Sequence, residues 1–166
     1  VFQNGALFDS MSVFDNLAYA LREHTKLSEA EIKTRVLKGL EDFGLKGNEN
    51  LYPASLSGGM QKRVGMARSM ILDPSVILYD EPTAGLDPLN TQNVVDLMKK
   101  LKGKGHASIF VTHDIPSALS LCDRIIILNL GVIIFNDTPA AFRKSDHPEV
   151  KKFKTLEEDK GKNYGH

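Results

Sequence analysis

The sequence predicts an α/β fold in which a parallel sheet carries a separate, mostly helical unit. Two apolar strands, Val76–Tyr79 and Ser108–Thr112, flank an amphipathic helical segment, which is the pattern of a parallel strand–helix–strand unit. Before them, residues 8–72 hold three segments in which apolar residues recur at helical spacing. The chain has 166 residues and balances 21 basic against 21 acidic side chains. It is therefore expected to form one domain or a domain with a subdomain, without a nucleic-acid partner.

The first half of the chain carries clear helix boundaries. Residues 1–7 are interpreted as the end of a buried strand and the loop that leaves it. Ser12 with Asp15 and Ser28 with Glu31 then predict two helix N-caps, the second of them a capping box. A third helix is predicted from Ser57 to Leu72, where Asp73-Pro74 stops it.

The second half alternates strands and helices. The predicted elements after Pro74 include a helix over Asn90–Lys102, a short helix over Ile115–Cys122, strands over Arg124–Asn129 and Val132–Phe135, and a helical turn over Thr138–Arg143. The last two strands flank a tight turn, which indicates an antiparallel hairpin at the sheet edge. The charged end, residues 154–166, is expected to be disordered. The predicted divisions are therefore 1–7, 8–72, 73–143 and 144–166.

Acidic residues after the first apolar strand are the candidate metal and catalytic groups. Asp80 and Glu81 lie at the carboxyl end of the strand, where open α/β sheets bind ligands. Asp80 is the predicted Mg²⁺ ligand, because carboxylate oxygens suit that ion. Glu81 is predicted to orient or deprotonate an attacking water, as phosphoryl transfer requires. Considered alone, such a pair is more often a helix cap or a turn.

The helix start at Ser57-Gly58-Gly59 is the candidate anion site. Free N–H groups and the positive end of the helix dipole lie there, and the glycines let a phosphate approach closely. His113, after the second strand, is predicted to reach the same sheet edge as Glu81, and Gln3 follows a third strand end. Each feature alone is commonly an ordinary cap or a structural side chain, but their order along the chain favours one shared site. Lys62 and Arg63 are interpreted as a solvated helix face.

In this order the motifs resemble those of the nucleotide-binding subunit of ATP-binding cassette (ABC) transporters. The matches are Gln3 to the Q-loop, Leu56–Gln61 (LSGGMQ) to the signature motif, Val76–Asp80 to the Walker B strand, Glu81 to the catalytic glutamate, Gly85-Leu86-Asp87 to the D-loop and His113 to the switch histidine. The resemblance covers residues 1–143. Within the family, the chain is most similar to the Mla/MCE-type phospholipid (toluene-tolerance) transporter ATPases. The implied fold is that of a P-loop NTPase with a helical subdomain.

The resemblance implies hydrolysis of ATP with Mg²⁺ in a dimer of two such subunits. The implied roles are nucleotide contact across the dimer for Ser57, Gly58, Gly59 and Gln61, an interface role for Asp87, metal binding for Asp80 and Gln3, and catalysis for Glu81, His113 and Gln3. The other implied partners are an integral membrane permease, docked near residues 7–27, and an MCE-type lipid-binding protein. The implied location is the cytoplasmic face of the bacterial inner membrane.

The sequence contains no G-x-x-x-x-G-K-[ST] motif, which is the Walker A loop of this family. We therefore expect an N-terminally truncated chain with no measurable ATPase activity by itself and with apolar sheet surface that favours self-association. A natural half-protein is the alternative origin. Two other functions stay open: a non-catalytic interaction module, and a cassette ATPase of the DNA-repair or translation type that is not linked to transport.

Overall fold

A computed structural model of the chain describes residues 1–2, 5–102 and 105–154. Its elements are α1 (Val13–His24), α2 (Glu29–Asp42), a 3-10 turn (Pro53–Ser55), α3 (Gly58–Met70), β1 (Val76–Asp80), α4 (Pro88–Lys102), β2 (Ala107–Val111), α5 (Ile115–Leu121), β3 (Ile125–Asn129), β4 (Val132–Asp137) and α6 (Pro139–Lys144). Residues 148–154 are also helical. The chain divides into two compact units, Val1–Val111 and Thr112–His166.

The predicted helix starts are confirmed by their hydrogen bonds. Ser12 Oγ accepts from the backbone N–H of Asp15 at 3.0 Å. Ser28 and Glu31 form the complete capping box at the start of α2, and Ser57 caps α3. The N-terminal starts of α1, α2 and α3 therefore follow from the local sequence.

Helix α3 lies at the centre of the first unit. It packs against α1, α2 and α4. Val64, Met66 and Leu17 of α1 are fully buried. Each such aliphatic side chain contributes on the order of 1.5–3 kcal/mol when it is removed from water. The core of the first unit is thus built around the helix that begins at Ser57.

Strands β1 and β2 pair in parallel, as predicted. Leu78 faces Ile109 and Asp80 faces Val111 in the register. Val1 pairs with the other edge of β1, because its N–H group donates to Leu78 O at 2.6 Å and its carbonyl accepts from Asp80 N at 2.9 Å. Val1 therefore lies alongside β1, and the interpretation of residues 1–7 as a strand end and loop stays a prediction.

The described residues of this unit cover only one face of the sheet. Ile77 and Tyr79 are buried, whereas Val76 and Leu78 are 53% and 60% exposed. Uninterrupted apolar strands such as Val76–Tyr79 are typical of sheets covered on both faces, and the described residues do not provide that cover here. The apolar run of β1 shows that both faces suit burial, but it cannot show which other segment lies on each face.

The second unit contains the predicted hairpin. Strands β3 and β4 are antiparallel, with an irregularity in the register after Ile127. Its core includes Ile127, Phe142 and Val150, with Phe135 packed against it. The hairpin forms its own two-stranded sheet rather than the edge of the β1–β2 sheet, which corrects that part of the prediction.

Some predictions fall outside the described residues. Gln3 is one of them, and the disorder expected at residues 154–166 concerns a segment of which only Lys154 is described, as part of a helix. The four-part division predicted from the sequence stays a prediction. No helix in the described part of the chain is both long and apolar enough to cross a membrane.

Candidate functional site

The acidic pair lies where the sequence predicts it, at the carboxyl end of the parallel strands. Asp80 is the last residue of β1 and is exposed. The backbone N–H of Glu81 donates to Val111 O, the last carbonyl of β2, at 2.9 Å. Both carboxylates therefore stand at the edge where β1 and β2 end, which is the ligand-binding edge of such sheets.

The backbone of Glu81 adopts the left-handed conformation, with φ of 45°. That conformation is costly for residues other than glycine and persists only where the surroundings enforce it. Here the chain turns tightly, since Ala84 N donates to Glu81 O at 3.2 Å and Leu86 N to Thr83 O at 3.3 Å. The predicted catalytic acid is thus held in a strained turn, which we call the acid turn (residues 81–87).

Lys62 contacts the acid turn, and its interpretation as a solvated residue is wrong. The residue is only 8% exposed. Its ammonium group donates to Ala84 O and lies 3.5 Å from Glu81 O. Burial lowers the pKa of Lys62, and the charge of Glu81 acts in the opposite direction. Arg63, also interpreted as solvated, donates to Gly44 O at 3.2 Å and closes the end of α2.

The two glycines at the start of α3 differ, because Gly58 is exposed and Gly59 packs against α4. Ser57 Oγ accepts from Met60 N at 3.3 Å. Gly58 is exposed, and a side chain added there would meet no atom within 4 Å. A β-carbon on Gly59 would lie 2.8 Å from Asn90 Oδ1 of α4. The exposed N–H groups suit an anion, so the predicted phosphate site fits the geometry at Ser57 and Gly58.

Asp87 connects the acid turn to α4. Its carboxylate accepts from the backbone N–H of Asn90 at 2.9 Å and from the Asn90 side chain at 2.5 Å, which makes it the N-cap of the helix. These hydrogen bonds, the backbone one first, lower the pKa of Asp87. The residue predicted to lie at a dimer interface therefore also starts a helix within its own chain.

Gln61 has a local role in the structure. Its side-chain amide donates to Pro53 O at 2.9 Å and to Leu56 O at 3.4 Å. Its amide nitrogen therefore supports the turn that leads into α3. Its predicted contact with nucleotide stays a prediction.

Helix α3 also holds the loop after Gln3. The Arg68 guanidinium donates to Ala6 O at 2.7 Å and lies 5.0 Å from the centre of the Phe8 ring. Gly65 allows the close approach, since a β-carbon there would lie 2.9 Å from both Cα and O of Gly5. Burial lowers the pKa of Arg68.

Asn16 completes this attachment from α1. It is fully buried, and its side-chain amide accepts from Phe8 N at 2.9 Å and donates to Phe8 O at 3.1 Å. The Asn16 amide thus makes both hydrogen bonds that a neighbouring strand would make with the backbone of Phe8. This pairing fixes the path of the loop. The loop after Gln3 is therefore anchored to both α1 and α3.

His113 follows β2 by two residues and is exposed, in the second unit. Asp114 caps α5 by accepting from Ser117 N at 3.2 Å. The predicted meeting of His113 with Glu81 stays a prediction, and Gln3 lies outside the described residues. Among residues 1–2, 5–102 and 105–154, no group of three or more His, Cys, Asp or Glu side chains forms a ready-made metal site. Asp80 alone still fits Mg²⁺, because that ion commonly takes one or two carboxylates and fills its other positions with water and phosphate.

Sequence reasoning missed Lys62, Asn90, Arg68 and Asn16. Lys62 was interpreted as part of a solvated helix face, and helical spacing does not mark Arg68 as a packing residue. A signal was nevertheless present, because Gly59 and Gly65 lie on different sides of α3 and small residues permit close approach by neighbouring segments. The partners of Lys62, Arg68 and Asn16 are mainly backbone groups, which carry no mark in the sequence.

The site and the fold define a protein of the ABC type, and comparison with known proteins agrees. The family description "ABC transporter" matches residues 1–84. The chain belongs to the ABC transporter family, which confirms the resemblance.

Three relatives are similar over most of this chain. The "Probable ribonucleotide transport ATP-binding protein mkl" of Mycobacterium leprae (strain TN) is 41% identical over 92% of this chain and 44% of its own length. The "Intermembrane phospholipid transport system ATP-binding protein MlaF" of Escherichia coli (strain K12) is 40% identical over 92% of this chain and 57% of its own length. The "Protein TRIGALACTOSYLDIACYLGLYCEROL 3, chloroplastic" of Arabidopsis thaliana is 41% identical over 93% of this chain and 50% of its own length. The chain spans about half the length of the curated relatives it matches.

Proposed function

We propose that the chain is the catalytic and signature part of an ATP-hydrolysing subunit that powers phospholipid transport. The observation that carries the proposal is the acid turn at the carboxyl ends of β1 and β2, in a chain that belongs to the ABC transporter family. A strained, well-supported acid at a ligand-binding edge is typical of a catalytic group.

The chemistry assigned to this edge is attack of water on a terminal phosphate. Asp80 would hold Mg²⁺, which neutralises charge on the phosphates. Glu81 orients the water and accepts its proton. The hydrogen-bonding roles of His113 and Gln3 remain those that the family resemblance implies. In support, Asp80 and Glu81 are adjacent, so metal and base act on the same phosphate.

The start of α3 serves a nucleotide bound mainly by a second copy of the subunit. Gly58 is exposed, and a β-carbon added there would meet no atom within 4 Å. The start of the helix is therefore open to a phosphate that arrives from outside the chain. Ser57, Gly59 and Gln61 shape this helix start, and Asp87 lies beside it at the dimer interface.

The permease docks on the surface beside the loop after Gln3. Phe8 and Tyr19 are 43% and 42% exposed, and their rings meet edge to face at 5.5 Å. Aromatic pairs on a surface are typical of contact sites. The permease, and with it an MCE-type lipid-binding protein, would place the subunit at the cytoplasmic face of the bacterial inner membrane.

Phospholipid is the proposed cargo because the name of one relative states it, whereas the mkl relative is named for ribonucleotide transport at similar identity. The two cargoes separate in one experiment. The whole subunit that contains this chain, assembled with its permease, is expected to move fluorescent phospholipid between vesicles when ATP is added. ATP-driven uptake of labelled ribonucleotide without lipid movement would instead establish the second candidate.

The catalytic assignment is tested by Glu81→Gln in the same assembly. We expect ATP hydrolysis to fall by about 100-fold or more while ATP binding is retained, since removing a group that acts on the water lowers kcat rather than affinity. Glu41→Gln removes only a surface ion pair with Lys46 and serves as the control. A Glu81→Gln assembly that hydrolyses ATP at the normal rate would contradict the assignment.

A further inference from the structure

We propose that Lys62 is a positioning residue for ATP hydrolysis, which fixes the backbone of the acid turn and joins it to α3. The inference rests on the proposed function of Glu81. It adds a residue that acts on the acid through main-chain carbonyls.

The environment of Lys62 is unusual for a lysine. The residue is 8% exposed, and the acceptors of its ammonium group are the carbonyl oxygens of Ala84 and Glu81. Burial of a charged group is costly, and an apolar side chain of similar length would fill the same space without that cost. Stability alone therefore does not account for a lysine at this position.

One acceptor of Lys62, Glu81 O, closes the strained turn, and the other, Ala84 O, lies within the turn. Glu81 has φ of 45°, and its carbonyl also accepts from Ala84 N at 3.2 Å. A left-handed conformation at a non-glycine residue needs contacts that enforce it. Charged donors form the stronger hydrogen bonds, so Lys62 is suited to holding both carbonyls in place.

Lys62 also lies one helical turn beyond the open start of α3, on the same rigid helix as Ser57 and Gly58. A second contact joins the same parts, because Gly59 lies against Asn90 and Asp87 holds Asn90. The acid turn and the start of α3 are thus joined at two points. Lys62 therefore couples a displacement of the acid turn to the start of α3. In the proposed function, that helix start serves the nucleotide bound mainly by a second copy of the subunit.

The local arm of the test measures amide hydrogen exchange in the chain itself. In Lys62→Met we expect amides within residues 81–87 to exchange about tenfold faster, because the Lys62 hydrogen bonds that hold the turn are lost, while amides of α1 and α2 keep their rates. Lys62→Arg, which keeps the charge, is expected to restore most of the protection. Lys100→Met makes the same chemical change at an exposed position of α4 and should change nothing. Lys62→Gln replaces Lys62→Met if the latter does not fold.

Two exchange results would overturn the proposal: unchanged rates at residues 81–87, or equal acceleration throughout the first unit, which would make Lys62 a general support of the fold. The catalytic arm uses the subunit assembled with its permease. There Lys62→Met should lower kcat about tenfold with KM for ATP within about threefold, and Lys62→Arg should recover part of the rate. A normal kcat alongside faster exchange would also overturn it. If the unmodified assembly hydrolyses no ATP, the proposed function is wrong, and the exchange arm still decides whether Lys62 holds the turn.

Discussion

Gly58 and Gly59 are neighbours in the sequence but carry different constraints. Gly58 faces open space, whereas Gly59 lies against the short side chain of Asn90, which Asp87 holds in place. The pair looks like one motif, yet only the second glycine is required by packing inside this chain. Under the proposed function, a ligand from outside the chain sets the requirement at Gly58.

Substitution of each glycine by alanine separates these constraints. Gly59→Ala is expected to destabilise the chain by about 1–3 kcal/mol, because its β-carbon would overlap Asn90. Gly58→Ala is expected to be neutral or to stabilise the chain by up to about 1 kcal/mol, since alanine suits a helix better. Urea unfolding followed by circular dichroism measures both. Equal stabilities of the two variants would show that Asn90 moves aside freely.

The stabilisation that Asp87 contributes to the acid turn depends on pH. Its hydrogen bonds to Asn90 lower its pKa below the ordinary value of 3.8, so the carboxylate binds protons less readily in the folded chain than in the unfolded chain. The stabilisation is fully present above that ordinary value and is lost as the pH falls through the lower folded pKa.

Asp87→Asn is therefore expected to lose less stability than the unmodified chain between about pH 6 and pH 3, because asparagine caps a helix without a charge to neutralise. Unfolding midpoints in urea at the two pH values provide the measurement. Asp96→Asn is the control, as Asp96 is an exposed carboxylate within α4 that pairs with Lys99. Parallel pH profiles for Asp87→Asn and the unmodified chain would contradict the assignment.

At the scale of elements, α3 determines where the surrounding segments lie. It meets α4 through Gly59, the acid turn through Lys62, the end of α2 through Arg63 and the loop after Gln3 through Gly65 and Arg68. Because one helix contacts all of them, a change at its surface acts on several parts of the candidate site at once.

Gly65→Ala tests the closest of these contacts. Its β-carbon would lie 2.9 Å from backbone atoms of Gly5, which cannot turn away, so a loss of about 1–3 kcal/mol is expected. Gly39→Ala in α2 is the matched control, because its nearest neighbour at 3.2 Å is the flexible end of Ile71. Both changes gain the same helix propensity, so the difference between the two unfolding free energies isolates the backbone contact. A difference near zero would mean that the loop shifts without cost.

At the scale of the whole molecule, apolar strand faces remain on the surface. Leu78 and its neighbour Ile109 are 60% and 56% exposed in the first unit. Leu128 and Val132 are 65% and 62% exposed in the second. Contiguous apolar surface of this kind favours association.

The chain by itself is expected to self-associate at micromolar concentration, and Leu78→Thr with Ile109→Thr is expected to shift it toward monomer. Threonine is β-branched, which suits a strand, and the substitution removes apolar surface. Sedimentation velocity measures the distribution of species, with Ser108→Thr as the control at an exposed position of the same strand. A monomeric unmodified chain would show that these faces do not associate.

Much of the fold could be read from local sequence because local chemistry causes it. Ser12, Ser28 and Ser57 cap their helices through hydrogen bonds to residues three positions away. The parallel pairing of β1 and β2 follows from two apolar runs joined by an amphipathic helix. The hairpin was predicted for the same reason, but its separation from the first sheet depends on contacts distant in the chain.

The sequence by itself determined the family and the positions of Asp80, Glu81, Ser57 and Asp87, because their spacing and order are properties of the chain. Only the tertiary structure decided that Lys62 is buried against the acid turn, that Gly59 lies against Asn90, and that one face of β1 is open. Each of these depends on a partner 19 or more residues away, or on a backbone carbonyl that every residue possesses. Spacing along a helix shows which residues share a face, and packing in three dimensions decides what that face meets.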